Sequence, residues 1–144
     1  MGKRNCEAEA LARELNFATA EDLRDNFLER KDFIKLLKPI GNIKMIFRSN
    51  KQPQTFEEAQ ICAQNCRIAD FKNWQLPTLE ELELIYKLHE AFPELFPFTS
   101  TFWSYEEENN EVWVVNFLLC GSAELQNKST PNDVILVHGD EQNE

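Results

Sequence analysis

Asn73-Trp74-Gln75-Leu76-Pro77-Thr78-Leu79-Glu80-Glu81-Leu82 is the stretch on which the fold turns. Pro77 holds the residue before it, Leu76, in extended geometry. Thr78 and Glu81 stand at capping-box spacing, in which a hydroxyl and a carboxylate each satisfy a free amide donor at a helix start. An extended segment therefore turns sharply into a helix at Thr78. In that helix Leu79, Leu82, Ile85 and Tyr86 face inward, and Glu80, Glu83 and Lys87 face outward. Trp74, just ahead of the turn, reads as the core anchor of an irregular loop. Trp74, Leu76, Pro77, Thr78 and Glu81 make up this structural motif.

Upstream, Thr55-Phe-Glu-Glu58 is a second capping box, and its helix carries Ala59, Cys62, Ala63 and Cys66 on one face. Ile43–Arg48 reads as a strand in which Ile43, Met45 and Phe47 alternate with Lys44 and Arg48. Residues 5–38 read as helical. Ala8, Leu11, Ala12 and Leu15 recur on one helix face. Thr19 caps a second helix carrying Leu23, Phe27, Leu28, Phe33, Ile34, Leu36 and Leu37, which Pro39 and Gly41 end. Downstream, Phe102–Tyr105 and Val112–Leu119 flank the polar run Glu106–Glu111 and suggest a hairpin. Both faces of the second strand are largely apolar, which implies cover on both sides. Gly121 ends that strand, a short polar loop follows, and Val134–Val137 is the last strand. The expected class is α+β: two helices and a small, mostly antiparallel sheet over 43–139, behind an N-terminal helical extension over 1–42. Residues 140–144 are expected to fray.

Charge narrows the partners. The chain has 144 residues and a formal net charge of −10, from 25 acidic and 15 basic residues. A nucleic-acid binder needs a basic surface to displace counterions, so no direct nucleic-acid contact is expected. Acidic excess favours solubility and basic partners. With 42% hydrophobic residues, 11 Phe and 3 Trp, there is material for one sizeable core. No stretch approaches a membrane span of about 18 apolar residues, and no secretion signal is visible. The expected location is cytoplasmic, with Cys6, Cys62, Cys66 and Cys120 as free thiols.

The order of features from residue 43 onward resembles a known family. Thr55-Phe-Glu-Glu-Ala59 with Cys62, then Asn73-Trp74-Gln75-Leu76-Pro77-Thr78 with Glu81-Leu82, Phe102-Trp103-Ser104, Gly121 and Ile135-Leu136-Val137 follow the pattern of the bacterial DUF1566 family, also called the Lcl C-terminal domain. The resemblance covers roughly two-thirds of the chain. It implies a scaffold similar to C-type-lectin-like domains and to the formylglycine-generating-enzyme fold. Gln75 stands where the family pattern has Arg, and Tyr105 stands where it has a second Ser. Gln offers fewer donors than Arg and no charge, so the local fixing of this loop is expected to differ.

Reactive chemistry is thin. His89, four residues after Ile85, reads as a structural histidine, and His138 as solvent-exposed. Cys62 and Cys66 lie one helical turn apart, a spacing that presents two thiolates to zinc. Two further ligands are needed, and only Cys120 and His89 are candidates. The pair reads instead as small buried hydrophobes. Glu106, Glu107, Glu108 and Glu111 offer the oxygens that calcium favours, but read as a solvated hairpin tip. No phosphate loop or nucleophile elbow is present. No catalytic residue, metal ligand or cofactor is assigned, and the chain is expected not to be an enzyme.

The expected function is a non-enzymatic protein-recognition module of bacterial or phage type, since loops on rigid scaffolds carry recognition. The candidate binding residues are Phe102, Trp103, Tyr105, Glu106, Glu107 and Glu108, beside the polar loop Gln126–Asn132. Trp103 is placed slightly nearer the surface than the other tryptophans. The alternative is an acidic inhibitor or adaptor of a basic, nucleic-acid-handling protein. A homo-oligomer, if one forms, is expected to use the N-terminal helices. A third reading, an enzyme of the formylglycine-generating type, requires metal-bound thiols.

Overall fold

The capped turns set the frame. The structure, a computed structural model, describes residues 3–139. Helix α1 spans Lys3–Glu14 and α2 Ala20–Asp25, followed by strands β1 (Phe27–Glu29), β2 (Ile34–Ile40) and β3 (Ile43–Arg48). Then come α3 (Phe56–Asn65) and α4 (Leu79–Ala91). Strands β4 (Thr101–Glu108), β5 (Glu111–Asn116), β6 (Ser122–Asn127) and β7 (Ile135–His138) follow. Thr19 caps α2 by accepting from the Asp22 amide at 3.0 Å. Thr55 with Glu58, and Thr78 with Glu81, form reciprocal capping boxes at α3 and α4. Such a cap typically stabilises its helix by about 1 kcal/mol.

The class is α+β. Two antiparallel sheets stand where one was expected: a four-stranded sheet in the order β1-β2-β3-β7 and a three-stranded sheet in the order β4-β5-β6. Several segments depart from the sequence reading. Residues 27–38 were expected in a helix and instead contribute β1 and most of β2. Asn26 ends α2, and its side-chain amide then pairs with the Lys38 backbone in both directions, at 2.9 and 2.8 Å. The apolar run from Phe33 fits either period; pairing of Ile34 with Ile46 settles it as a strand. Gly41, expected to stop a helix, lies at φ +59 in the two-residue turn between β2 and β3. The polar stretch after Gly121 is β6, paired along its length with β5. The hairpin strands run on to Glu108 and Glu111, so the turn is Asn109-Asn110, both left-handed at φ 54 and 68.

The boundary expected at residue 42 does not separate a helical extension from the rest. β2 pairs with β3 across it. Ala8, Leu11 and Ala12 of α1 lie in one core with Leu82, Ile85 and Leu88 of α4. The apolar face of α1 is thus buried within the chain itself. The tail 140–144 and the Cys6 side chain lie outside the described residues.

Two clusters divide the core. The first joins α1, α2 and α4 to one face of the four-stranded sheet and includes Phe27, Phe96, Phe98 and Phe102. The second joins α3 to the other face through Met45, Phe56, Trp74, Trp103 and Leu136. Strand β5 feeds both: Val115 enters the first, Val112 and Val114 the second. Leu118 and Leu119, expected to continue it, lie exposed beyond its end. The two sheets are tied at Asp133. Its carboxylate accepts from Arg48 of β3 at 3.2 Å and from the Ser100 hydroxyl just before β4. The Arg48 guanidinium also stands over the Phe102 ring at 5.3 Å. Among the described residues, no helix is long and apolar enough to cross a membrane.

Tyr86 carries a pH consequence. Burial first, and then its hydrogen bond to Glu90 at 2.9 Å, push its phenol up to about 12. The folded state therefore holds this proton more tightly than the unfolded chain, whose phenol titrates near 10. The stabilisation is complete below pH ~10 and is lost as pH rises toward ~12. Denaturant midpoints measured from pH ~8 to ~11.5 should fall at the alkaline end in the native chain. The fall should be shallower in Tyr86→Phe. Equal slopes would show that Tyr86 does not contribute.

Candidate functional site

The Trp74–Thr78 element lies along the outer edge of β7. Gln75 and Val137 exchange backbone hydrogen bonds at 2.9 and 2.8 Å. Trp74 is 2% exposed, and its indole N–H donates to the Ile68 carbonyl at 3.2 Å, closing the loop behind it. That loop contains Ala69, Asp70 and Asn73 at positive φ, a strained path that the buried indole helps to hold. Leu76 and Pro77 are buried. The Pro77 carbonyl accepts from the Tyr105 amide at 3.0 Å, which fixes β4 against the motif.

This junction leaves a cleft of about 540 Å³. Gln60 and Gln64 of α3 form one wall; Gln75, Thr78 and Tyr105 form the other. Trp74, Leu76 and Val137 supply its apolar lining. Tyr105 is 54% exposed, one of the few large side chains left uncovered. The single carboxylate in the lining, that of Glu81, already accepts from the Thr78 amide at 3.0 Å. In a chain of net charge −10 this cleft is therefore nearly neutral. Amides both donate and accept, so the cleft suits a ligand of mixed hydrogen-bonding character with an apolar part.

The candidate binding residues are not all surface groups. Phe102 and Trp103 are fully buried on opposite faces of β4, one in each core cluster. Successive strand residues point opposite ways, and here both sides are covered, so neither ring meets a partner. The Trp103 indole donates to the Gln54 carbonyl at 2.7 Å. The acidic run is also dispersed. Glu106 accepts from the Leu79 amide at 3.1 Å and adds a second carboxylate to the start of α4. Glu107 pairs with Lys128 at 2.9 Å, and Glu108 accepts from the Trp113 indole at 3.1 Å. Of the six, Tyr105 alone lines the cleft with the motif. Gln60 and Gln64 were missed because neutral amides on an exposed helix face carry no sequence signal.

Both histidines face backbone carbonyls. His138, expected to be exposed, is 2% exposed. Its Nε2 faces the Lys72 carbonyl at 2.6 Å and its Nδ1 the Gly139 carbonyl at 3.0 Å. Its ring also packs on Trp74, 5.2 Å between centroids. His89 Nδ1 faces the Phe96 carbonyl at 2.7 Å. Cys62, Cys66 and Cys120 are free thiols. Burial pushes the Cys66 thiol up, which lowers its thiolate fraction and its reactivity. Among the described residues, no group of three or more His, Cys, Asp or Glu is placed to hold a metal ion.

Comparison with known families gives a match to the Lcl C-terminal domain over residues 29–138. The match begins in β1 and ends with β7, and so includes β2, which the sequence reading left outside the domain. No curated protein matches the chain.

Proposed function

We propose, for a chain that belongs to the Lcl C-terminal domain family, a non-catalytic role as a protein-recognition module working through the cleft between α3 and the Trp74–Thr78 element. The carrying observation is Tyr105. It is half exposed, yet its backbone is fixed to Pro77 at the mouth of an amide-lined cleft. On a fixed backbone a Tyr side chain has only two χ angles to lose on contact, and Tyr is enriched among residues that dominate binding energy. The amides of Gln60, Gln64 and Gln75 match the alternating donors and acceptors of an exposed polypeptide loop. A rigid α+β scaffold presenting such a cleft accords with the lectin-like architecture implied by the resemblance. Engagement of both histidines with backbone carbonyls supports the non-catalytic reading.

The test is a variant carrying Tyr105→Ala and Gln75→Ala together. Partners captured by the native chain should bind it at least about ten-fold more weakly. Its denaturant midpoint should move little, since both side chains are exposed. Unchanged affinity for every captured partner would remove this cleft from the account.

A second reading rests on the adjoining cleft, which shares Thr78 and Glu81 with the first. The 800 Å³ cleft beside α4 is lined by Glu14, Glu80, Glu81 and Glu83, with Lys87 paired to Glu14 at 3.2 Å. This acidic wall suits a basic, nucleic-acid-handling partner, as an inhibitor or adaptor would require. Affinity for such a partner should fall steeply between ~0.05 and ~0.3 M salt. Salt-independent binding would eliminate it.

A further inference from the structure

A third cleft departs from the rest of the surface in both charge and polarity. It measures about 500 Å³ and is lined by Arg30, Lys35 and Lys44, with Leu37, Pro39 and Phe71 among its apolar members. Among the described residues no acidic side chain lines it, although acidic residues outnumber basic ones 25 to 15 in the chain. Leu37 is 61% and Phe71 44% exposed, so two of the most exposed large apolar side chains share one concavity.

The fold builds this arrangement. Lys35 pairs with Met45 and Ile40 with Ile43, so residues 36–39 of β2 stand opposite Lys44 alone. A bulge of this kind re-aims side chains. Asn26, 4% exposed, pins it: the Asn26 carbonyl accepts from the Leu37 amide at 2.8 Å, and its side chain bonds the Lys38 amide and carbonyl. Leu36 turns into the core while Leu37 turns out. On the outer side, Phe71 stands over His138 at 5.2 Å and marks where the cover of this sheet face stops. Leu37 is thus held exposed by a buried polar clamp.

We propose that this cleft docks an acidic peptide segment of a partner protein, with one bulky apolar residue against Leu37 and Phe71 and flanking carboxylates at Arg30 and Lys35. The charge argues for this occupant. A locally basic concavity in an acidic chain attracts an acidic segment, while the surrounding field repels extended polyanions. Shape argues against a membrane, which meets protruding or flat surfaces rather than a cleft of this volume. The two clefts meet at Gly139, but Arg30, Lys35 and Leu37 do not line the Tyr105 cleft, so the variants below test the two readings independently.

The test uses the full chain and three fluorescein-labelled peptides: Asp-Glu-Phe-Asp-Glu, the same with Ser for Phe, and Lys-Lys-Phe-Lys-Lys. By fluorescence anisotropy at low salt, the first should bind at least about ten-fold more tightly than the other two. Arg30→Glu with Lys35→Glu, and separately Leu37→Ser, should each weaken it about ten-fold. Tyr105→Ala should leave it unchanged. These side chains are exposed, so the variants should fold, which a denaturant midpoint checks. Equal binding of all three peptides would overturn the proposal, as would indifference to the charge reversal. Binding of phosphatidylserine vesicles or of a labelled oligothymidine, without binding of the acidic peptide, would overturn it too.

Discussion

Trp103→Ala should cost the fold about 3–5 kcal/mol, the range for emptying a buried aromatic site. The ring is fully buried and packs on Phe56 of α3 at 5.5 Å between centroids. It fills the space among Val112, Val114 and Leu136, so it joins the three-stranded sheet to α3 and to the four-stranded sheet. Removal leaves a cavity whose walls come from three separate elements, which cannot close together. The Gln54 carbonyl also loses the indole donor, keeping only the Asn132 amide at 2.9 Å. Domains of this kind are stable by about 5–15 kcal/mol, so the variant should be close to unfolding. Trp103→Phe keeps much of the volume and loses the donor. Its cost should be smaller, about 1–2 kcal/mol. Urea denaturation of the three proteins measures both. A loss below about 1 kcal/mol for Trp103→Ala would place this ring outside the core.

Gly121→Ala should destabilise by about 2–4 kcal/mol, summing left-handed backbone strain and overpacking. Gly121 has φ +69, and a Cβ there would stand 2.5–2.7 Å from three ring atoms of Tyr86. The ring has little room to yield. Its hydroxyl is tied to Glu90 and its face meets Phe117 edge-on at 5.3 Å. The Gly121 amide is itself fixed to the Asn116 carbonyl at 3.0 Å. The double variant Gly121→Ala with Tyr86→Ala separates the two causes. It relieves the clash and keeps the backbone strain, so the two changes should be non-additive by at least about 1 kcal/mol. Simple additivity would show that Tyr86 moves aside freely and that strain alone sets the cost.

The local chemistry was legible wherever one residue type has one structural use. The capping boxes at Thr55 and Thr78, the strand Ile43–Arg48 and the buried Trp74 all follow from groups whose hydrogen bonds or apolar area allow a single outcome. The same residues carried the family resemblance, and the family match includes them. The candidate site was only partly legible. Tyr105 lies where the motif is, but Phe102 and Trp103 read as surface because nothing local shows that both faces of β4 are covered. Glu106, Glu107 and Glu108 read as one acidic cluster because strand alternation sends neighbours to different partners only once the strand exists.

By itself, then, the sequence determined the α+β class, the starts of α2, α3 and α4, and the turn that feeds α4. These depend on interactions within four or five residues, whose geometry is complete before anything else packs. Tertiary structure alone decided that residues 27–29 and 34–40 are strands, that 122–127 is a strand, that His138 is buried and that Gln60 and Gln64 share a cleft with Gln75 and Tyr105. Each of those outcomes is set by a partner distant in the chain. β2 exists through its pairing with β3, His138 is enclosed by Lys72 and Trp74, and the cleft forms where α3 meets an edge of β7. A short apolar run satisfies helix and strand equally well until a neighbouring backbone offers its hydrogen bonds.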